Sequence, residues 1–204
     1  MLELRDIAFG YDAQKPLYAG ISLSVAPGER VALVAPSGFG KTTLCSIAAG
    51  YLRPRAGEVL VDGRPLPNKG KSPVQMIWQH PERVLDPRMR MKDSLAEAGQ
   101  TDEYLLASLG IRQEWLTRFP HELSGGELQR FCIARALMAE PRYLVADEIS
   151  TMLDALTQAQ LWHFLLEQAR ARNLGMLLVS HSDALLDHVA TRVVDLRDLS
   201  RASN

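Results

Sequence analysis

The chain has 204 residues, 47% of them hydrophobic and 23% charged, with a formal net charge of −1. That length accommodates one domain with room for an inserted lobe, and the apolar share suffices for a core that needs neither disulfides nor structural metal. The near-neutral charge argues against nucleic acid as a main partner, and no apolar run is long enough to cross a bilayer.

The opening MLELRDIAFGYD has no basic-then-apolar leader, so no secretory signal is expected and any role at a membrane must come through partner subunits. Residues 2–9 alternate imperfectly and 21–25 cleanly between apolar and polar, the pattern of half-buried strands. Ala26-Pro27-Gly28 then turns the chain into the valine-rich run 31–34, which suits a buried strand of a parallel sheet. Residues 41–49 are predicted as a helix stopped by Gly50, and 58–63 and 74–78 as further strands. From 81 to 139 helical periodicity replaces strand signals, which predicts an inserted helical lobe. Buried strands return at 143–146 and 176–179, separated by a helix over 155–172. This alternation predicts an α/β fold with a parallel sheet. The expected organisation is a single domain, 1–204, with 1–80 and 140–204 forming the core and 81–139 the helical lobe. The tail 200–204 reads as frayed. Cys45 and Cys132 fall in predicted helices and read as small buried hydrophobes in a reducing compartment.

The stretch VALVAPSGFGKTTL is a buried strand, a glycine-containing turn and a helix start. Backbone N–H groups of such a turn, together with the helix dipole, form an anion trap. Ser37, Gly38, Phe39 and Gly40 supply the cradle for a nucleotide's phosphates, Lys41 reaches the β- and γ-phosphates, Thr42 is placed to hold Mg²⁺, and Thr43 faces the α-phosphate side. The motif asks for glycine where this chain has Ala35. Alanine is tolerated there if its φ is negative, so a negative φ and a working site are predicted. Downstream, the apolar run Tyr143-Leu-Val-Ala ends in Asp147-Glu148. Asp147 can hold Mg²⁺ and Glu148 can polarise an attacking water.

Leu123-Ser-Gly-Gly-Glu-Leu-Gln-Arg130 combines a capping box, Ser124 with Glu127, and two glycines that a cap does not require. Ser124, Gly125 and Gly126 at a helix N-terminus form a second phosphate half-site. Since Lys41 already has a site in the same chain, this half-site is expected to serve the nucleotide of another chain.

With these motifs in order, the sequence resembles the ATP-binding cassettes, the nucleotide-binding subunits of ABC transporters, over nearly its whole length. The resemblance implies a P-loop NTPase (RecA-like) core with an antiparallel β subdomain and an inserted helical subdomain. It also implies ATP and Mg²⁺ as ligands and ATP hydrolysis coupled to transport. By position, Tyr11 matches the aromatic that stacks on adenine, and Gln79 the glutamine that senses Mg²⁺ and the γ-phosphate. Asp154, closing Ser-Thr-Met-Leu-Asp, matches the loop that crosses the dimer interface, and His181 matches the histidine at the γ-phosphate. Implied partners are a second cassette, identical or different, transmembrane permease subunits and an extracytoplasmic substrate-binding protein, on the cytoplasmic face of the membrane. Segments 79–91 and 147–160 resemble the peptide/nickel uptake subgroup, with Ile149 in place of the more usual proline, so peptide, nickel or another chelated metal stays open as cargo. The competing expectation is a soluble cassette ATPase acting on nucleic acid or ribosomes. Against it stand the 83 residues between Lys41 and Ser124, too few for the long coiled coil of the DNA-repair type, and the presence of one cassette rather than the two usual in the ribosome type.

Overall fold

In the computed structural model, which describes residues 1–12, 14–151 and 153–201, the strands are β1 (Leu2–Phe9), β2 (Tyr18–Val25), β3 (Arg30–Val34), β4 (Ala56–Val61), β5 (Arg64–Pro65), β6 (Val74–Ile77), β7 (Tyr143–Asp147), β8 (Gly175–Val179) and β9 (Arg192–Asp195). The helices are α1 (Lys41–Ala48), α2 (Met91–Ala96), α3 (Glu103–Ser108), α4 (Gly125–Met138), α5 (Ala155–Arg172), α6 (Asp183–Val189) and α7 (Leu196–Arg201). Strands β2-β1-β4-β5 form an antiparallel sheet and β6-β7-β8-β3-β9 a parallel one.

The two sheets follow from two apolar patterns. The β1 strand buries Leu2, Leu4, Ile7 and Phe9 but exposes Arg5 and Asp6, and its change of parity is a register break between Leu4 and Ile7. Asp6 there is left-handed, with φ 48°, and its N–H takes the Ser22 hydroxyl as acceptor at 2.9 Å. Gly57 lies against this bulge, where a Cβ would collide with the carbonyl oxygens of Arg5 and Asp6. The imperfect alternation read over 2–9 is therefore a bulge. By contrast, β7 and β8 are buried at every residue, as parallel strands covered on both faces must be.

Alternate residues of the parallel sheet enter two cores. Val31, Leu33, Tyr143, Val145, Leu177 and Val179 pack with Leu44 and Ile47 of α1 and with the antiparallel sheet. Ala32, Leu144, Ala146, Met176 and Leu178 pack with Phe131 and Leu137 of α4 and with Trp162 and Leu165 of α5. Between β6 and β7 the described residues form α2, α3, α4 and short 3-10 turns, with no strand. That segment's own apolar residues, including Leu95, Leu105 and Trp115, join the second core.

The end of the chain departs from expectation. A strand not foreseen from the sequence, β9, pairs with β3, and α7 follows it, so the first two residues of the expected tail, to Arg201, fall within a helix. The cause is Leu196, which is fully buried and anchors the helix, with Leu199 packed against the same core. Residues 202–204 lie outside the described residues.

Candidate nucleotide-binding and active site

The parallel strands β3, β6, β7 and β8 all end on one edge, where an open α/β sheet places its ligands. This delivers the Ala35–Gly40 turn, Gln79, Asp147-Glu148 and His181 to a common site. In the turn, Gly38 (φ 83°) and Gly40 (φ 89°) carry the left-handed backbone. Ala35 is not among the residues with positive φ, as predicted. Lys41 is 8% exposed, and its Nζ donates to the carbonyl oxygens of Ala35 at 2.8 Å and Pro36 at 3.3 Å. Ser37, Gly38 and Phe39 are exposed, and Gly40 caps α1 with its backbone alone.

Tyr18 is a contributor that sequence reasoning missed. From the antiparallel sheet its hydroxyl donates to the Gly40 carbonyl, and a Cβ at Gly40 would collide with it. Burial pushes the Tyr18 phenol far above its ordinary pKa, so it stays a donor. No local pattern in KPLYAG marks it; the contact joins residues 22 apart in sequence.

At the end of β7, Asp147 is 2% exposed and its Oδ1 has no hydrogen-bond partner. Burial raises its pKa, while the Thr42 side chain opposes the shift by hydrogen bonding. A buried, unsatisfied carboxylate oxygen beside an exposed threonine hydroxyl fits a hard cation such as Mg²⁺. Glu148 follows in the left-handed region, φ 52°, so the strained backbone of this site lies at Glu148 rather than Ala35. Its N–H donates to the Val179 carbonyl at 3.0 Å, and its carbonyl accepts from the Thr151 hydroxyl at 3.1 Å. Its two carboxylate oxygens are each engaged: Gln79 Nε2 donates to Oε2 at 2.8 Å, and His181 Nε2 lies 2.7 Å from Oε1. Three residues that follow β6, β7 and β8 thus meet at one carboxylate, an arrangement able to orient and deprotonate a water.

Tyr11 is 75% exposed, stands edge-on to Phe9 at 5.1 Å, and its hydroxyl lies 3.0 Å from Thr43 Oγ1. Its ring thus stands beside the start of α1, open for stacking. Ser124 accepts from Glu127 N at 3.3 Å while Glu127 Oε2 accepts from Ser124 N at 2.8 Å, so the capping box is formed. Gly126 lies against Leu153, which a Cβ would meet at 3.0 Å. Among the described residues, the side-chain hydrogen bonds of Ser124 stay within its own helix start and none reaches Lys41. Asp154 caps α5, accepting from Leu156 N, Thr157 N and Thr157 Oγ1 at 3.1, 3.0 and 2.7 Å. Met152 of the same loop lies outside the described residues.

The family description "ABC transporter" matches residues 18–151. The chain belongs to this family. It is an ATP-binding cassette ATPase with the P-loop NTPase fold. The nickel import system ATP-binding protein NikE of Staphylococcus aureus, strain bovine RF122 / ET3-1, is 32% identical to the cassette over 212 residues, covering 97% of this chain and 87% of that protein. NikE of strain MSSA476 matches with the same identity and coverage. Among solved structures, an ATP-binding subunit of an ABC transporter superposes with TM-score 0.83 at 27% identity, over 96% of this chain and 85% of that one. A dimeric post-hydrolysis ATP-binding cassette bound to ADP and Pi shares the fold with TM-score 0.84 at 22% identity, over 96% and 94%.

Proposed function

We propose that this cassette powers an importer for nickel, another chelated metal or peptides, and that Glu148 activates the water that attacks ATP. The observation that carries the reading is the Glu148 carboxylate held between Gln79 and His181 beside the phosphate loop. ATP's phosphates occupy the cradle of Ser37, Gly38, Phe39 and Gly40, with Thr43 on the α-phosphate side and Tyr11 stacked on adenine. Lys41 exchanges the Ala35 and Pro36 carbonyls for the β- and γ-phosphates. Thr42, Asp147 and Gln79 would hold Mg²⁺, which when bound would neutralise phosphate charge. Glu148 accepts the proton of the attacking water, and His181 bears on the γ-phosphate side.

Ser124, Gly125 and Gly126 serve the nucleotide of a second cassette, identical or different, and Asp154 lies at the interface with it. Two features favour that assignment: the exposed Ser124 helix start and its lack of hydrogen bonds to the chain's own phosphate loop. Residues 81–139 act as the signature-bearing lobe and the rest as the nucleotide-binding core.

Among the described residues no helix is long and apolar enough to cross a membrane, so attachment to the cytoplasmic face would run through permease subunits. A cleft of about 880 Å³, reaching Tyr51, Trp78, Val84 and Arg135 between the antiparallel sheet and α4, is the surface we assign to the permease. Import is favoured by the NikE relatives, whose name is that of a nickel import system; an extracytoplasmic binding protein delivering cargo belongs to the same proposal.

The test is Glu148→Gln. It should retain ATP binding while turnover falls by about 10²–10⁴-fold; turnover within twofold of the parent removes Glu148 from this role. Uptake of radiolabelled nickel and of labelled peptides, each in cells lacking the chain, separates the cargoes.

A further inference from the structure

Behind the contact between Gln79 and Glu148, three segments converge on a buried amide. Gln129 of α4 is 4% exposed, and its Nε2 donates to the Trp78 carbonyl at 3.2 Å. Trp78 follows the last residue of β6, so this carbonyl lies beyond the ladder to β7 and takes its hydrogen from α4. The amide borders a narrow gap lined by Gln79, Gly125, Ile149 and Leu153. Its Oε1 is buried with no partner. An unmet buried acceptor is destabilising, and an apolar side chain of the same length would fill the place without it. What only the amide provides is a grip on the backbone that leads into Gln79.

We propose that Gln129 is a positioning residue for ATP hydrolysis: by holding the Trp78 carbonyl it fixes the entry of Gln79 into the site. The contacts run from α4 through Trp78 to Gln79, and from Gln79 Nε2 to Glu148 Oε2 at 2.8 Å. Ser124, Gly125 and Gly126 open the same helix, so a displacement of that phosphate-seeking end displaces Gln79 relative to Glu148. The proposal rests on the reading of Gln79 as part of the hydrolytic site.

Gln129→Met keeps length and apolar fit but removes the donor, and Gln129→Glu keeps the shape while replacing the donating amide with a carboxyl group. Both are made in the full chain, alone and with Gln79→Ala, and compared for melting, binding of a non-hydrolysable ATP analogue, and steady-state turnover. For Gln129→Met, kcat should fall about tenfold while KM for ATP and analogue affinity stay within about twofold. In the Gln79→Ala background the same change should cost less than about twofold, because residues acting through one another are not additive. An equal loss in both backgrounds, an unchanged kcat, or a KM that rises in step overturns the proposal. So does failure of both Gln129 variants to fold, which would make the residue one of packing alone. Normal turnover in Gln79→Ala by itself would overturn the reading of Gln79 and this proposal together. A slow Gln79→Ala beside an active Gln129→Met would overturn only the latter.

Discussion

Asp147 is 2% exposed and one of its oxygens has no hydrogen-bond partner, so ionising it without a cation nearby is costly. Burial is the main cause of its raised pKa. A carboxyl with a raised folded pKa loses folded-state stability as pH climbs from its unfolded value through its folded one. Asp147→Asn should therefore melt higher than the parent at neutral pH without nucleotide, by about 2–4 °C for each kcal/mol relieved in a chain of this size. That advantage should shrink as pH falls through the raised pKa and vanish below the ordinary value of 3.8. Turnover should be lost in the same variant. A lower melting temperature at pH 7 would contradict the assignment of burial as the cause. Of the residues to which we assign chemistry, Lys41, Asp147 and Glu148 are legible in the sequence because phosphate and metal chemistry restricts residue type at fixed spacing, whereas His181 is found only through the family resemblance. The left-handed backbone of Glu148 and the Tyr18 clamp on Gly40 are not legible, since both depend on contacts between distant strands.

Helix α5 runs over the predicted 155–172 because both ends are written locally: Asp154 caps its start, and Asn173, at φ 51°, stops it in the left-handed region. Short elements escaped the same reading. The β9 strand exposes Arg192 and Val193, and α6 and α7 have 7 and 6 residues, too few for a helical period to declare itself. Helix α4 shows two demands on one residue, since Ser124 is its cap and the proposed contact to a second cassette's phosphate. The two demands can be separated. Ser124→Ala should cost about 1 kcal/mol of stability, the usual value of a cap. Ser124→Asp should keep the cap, with melting close to the parent, yet lower turnover by setting a negative charge against phosphate. Melting curves and ATPase rates on the pair decide it; a fully active Ser124→Asp would remove Ser124 from the interface.

Across the whole molecule, segments far apart in the chain are joined at Glu29. Its carboxylate accepts from Arg192 Nε at 2.7 Å and from Ala26 N at 2.8 Å, tying the turn before β3 to β9. The Arg192 hydrogen bond is the main cause that holds the Glu29 pKa below its ordinary 4.5. A depressed folded pKa stabilises above the unfolded value and ceases to do so as pH falls through the folded one. Glu29→Gln should therefore melt below the parent at pH 7, with the difference closing as both are taken below pH 4.5. A gap constant with pH would show that the ion pair is not its source. No local pattern could reveal the strand order itself, because β3 lies between β8 and β9, which come late in the chain. On the ribosome this has a price in time. At about 5–20 residues per second, the roughly 140 residues from the end of β3 to the start of β8 take about 7–28 s to appear. For that interval Val31, Ala32 and Leu33 have no strand beside them, and the nucleotide loop they will support hangs from an unpaired apolar edge of the kind that aggregates. Any truncation upstream of β8 would make that state permanent.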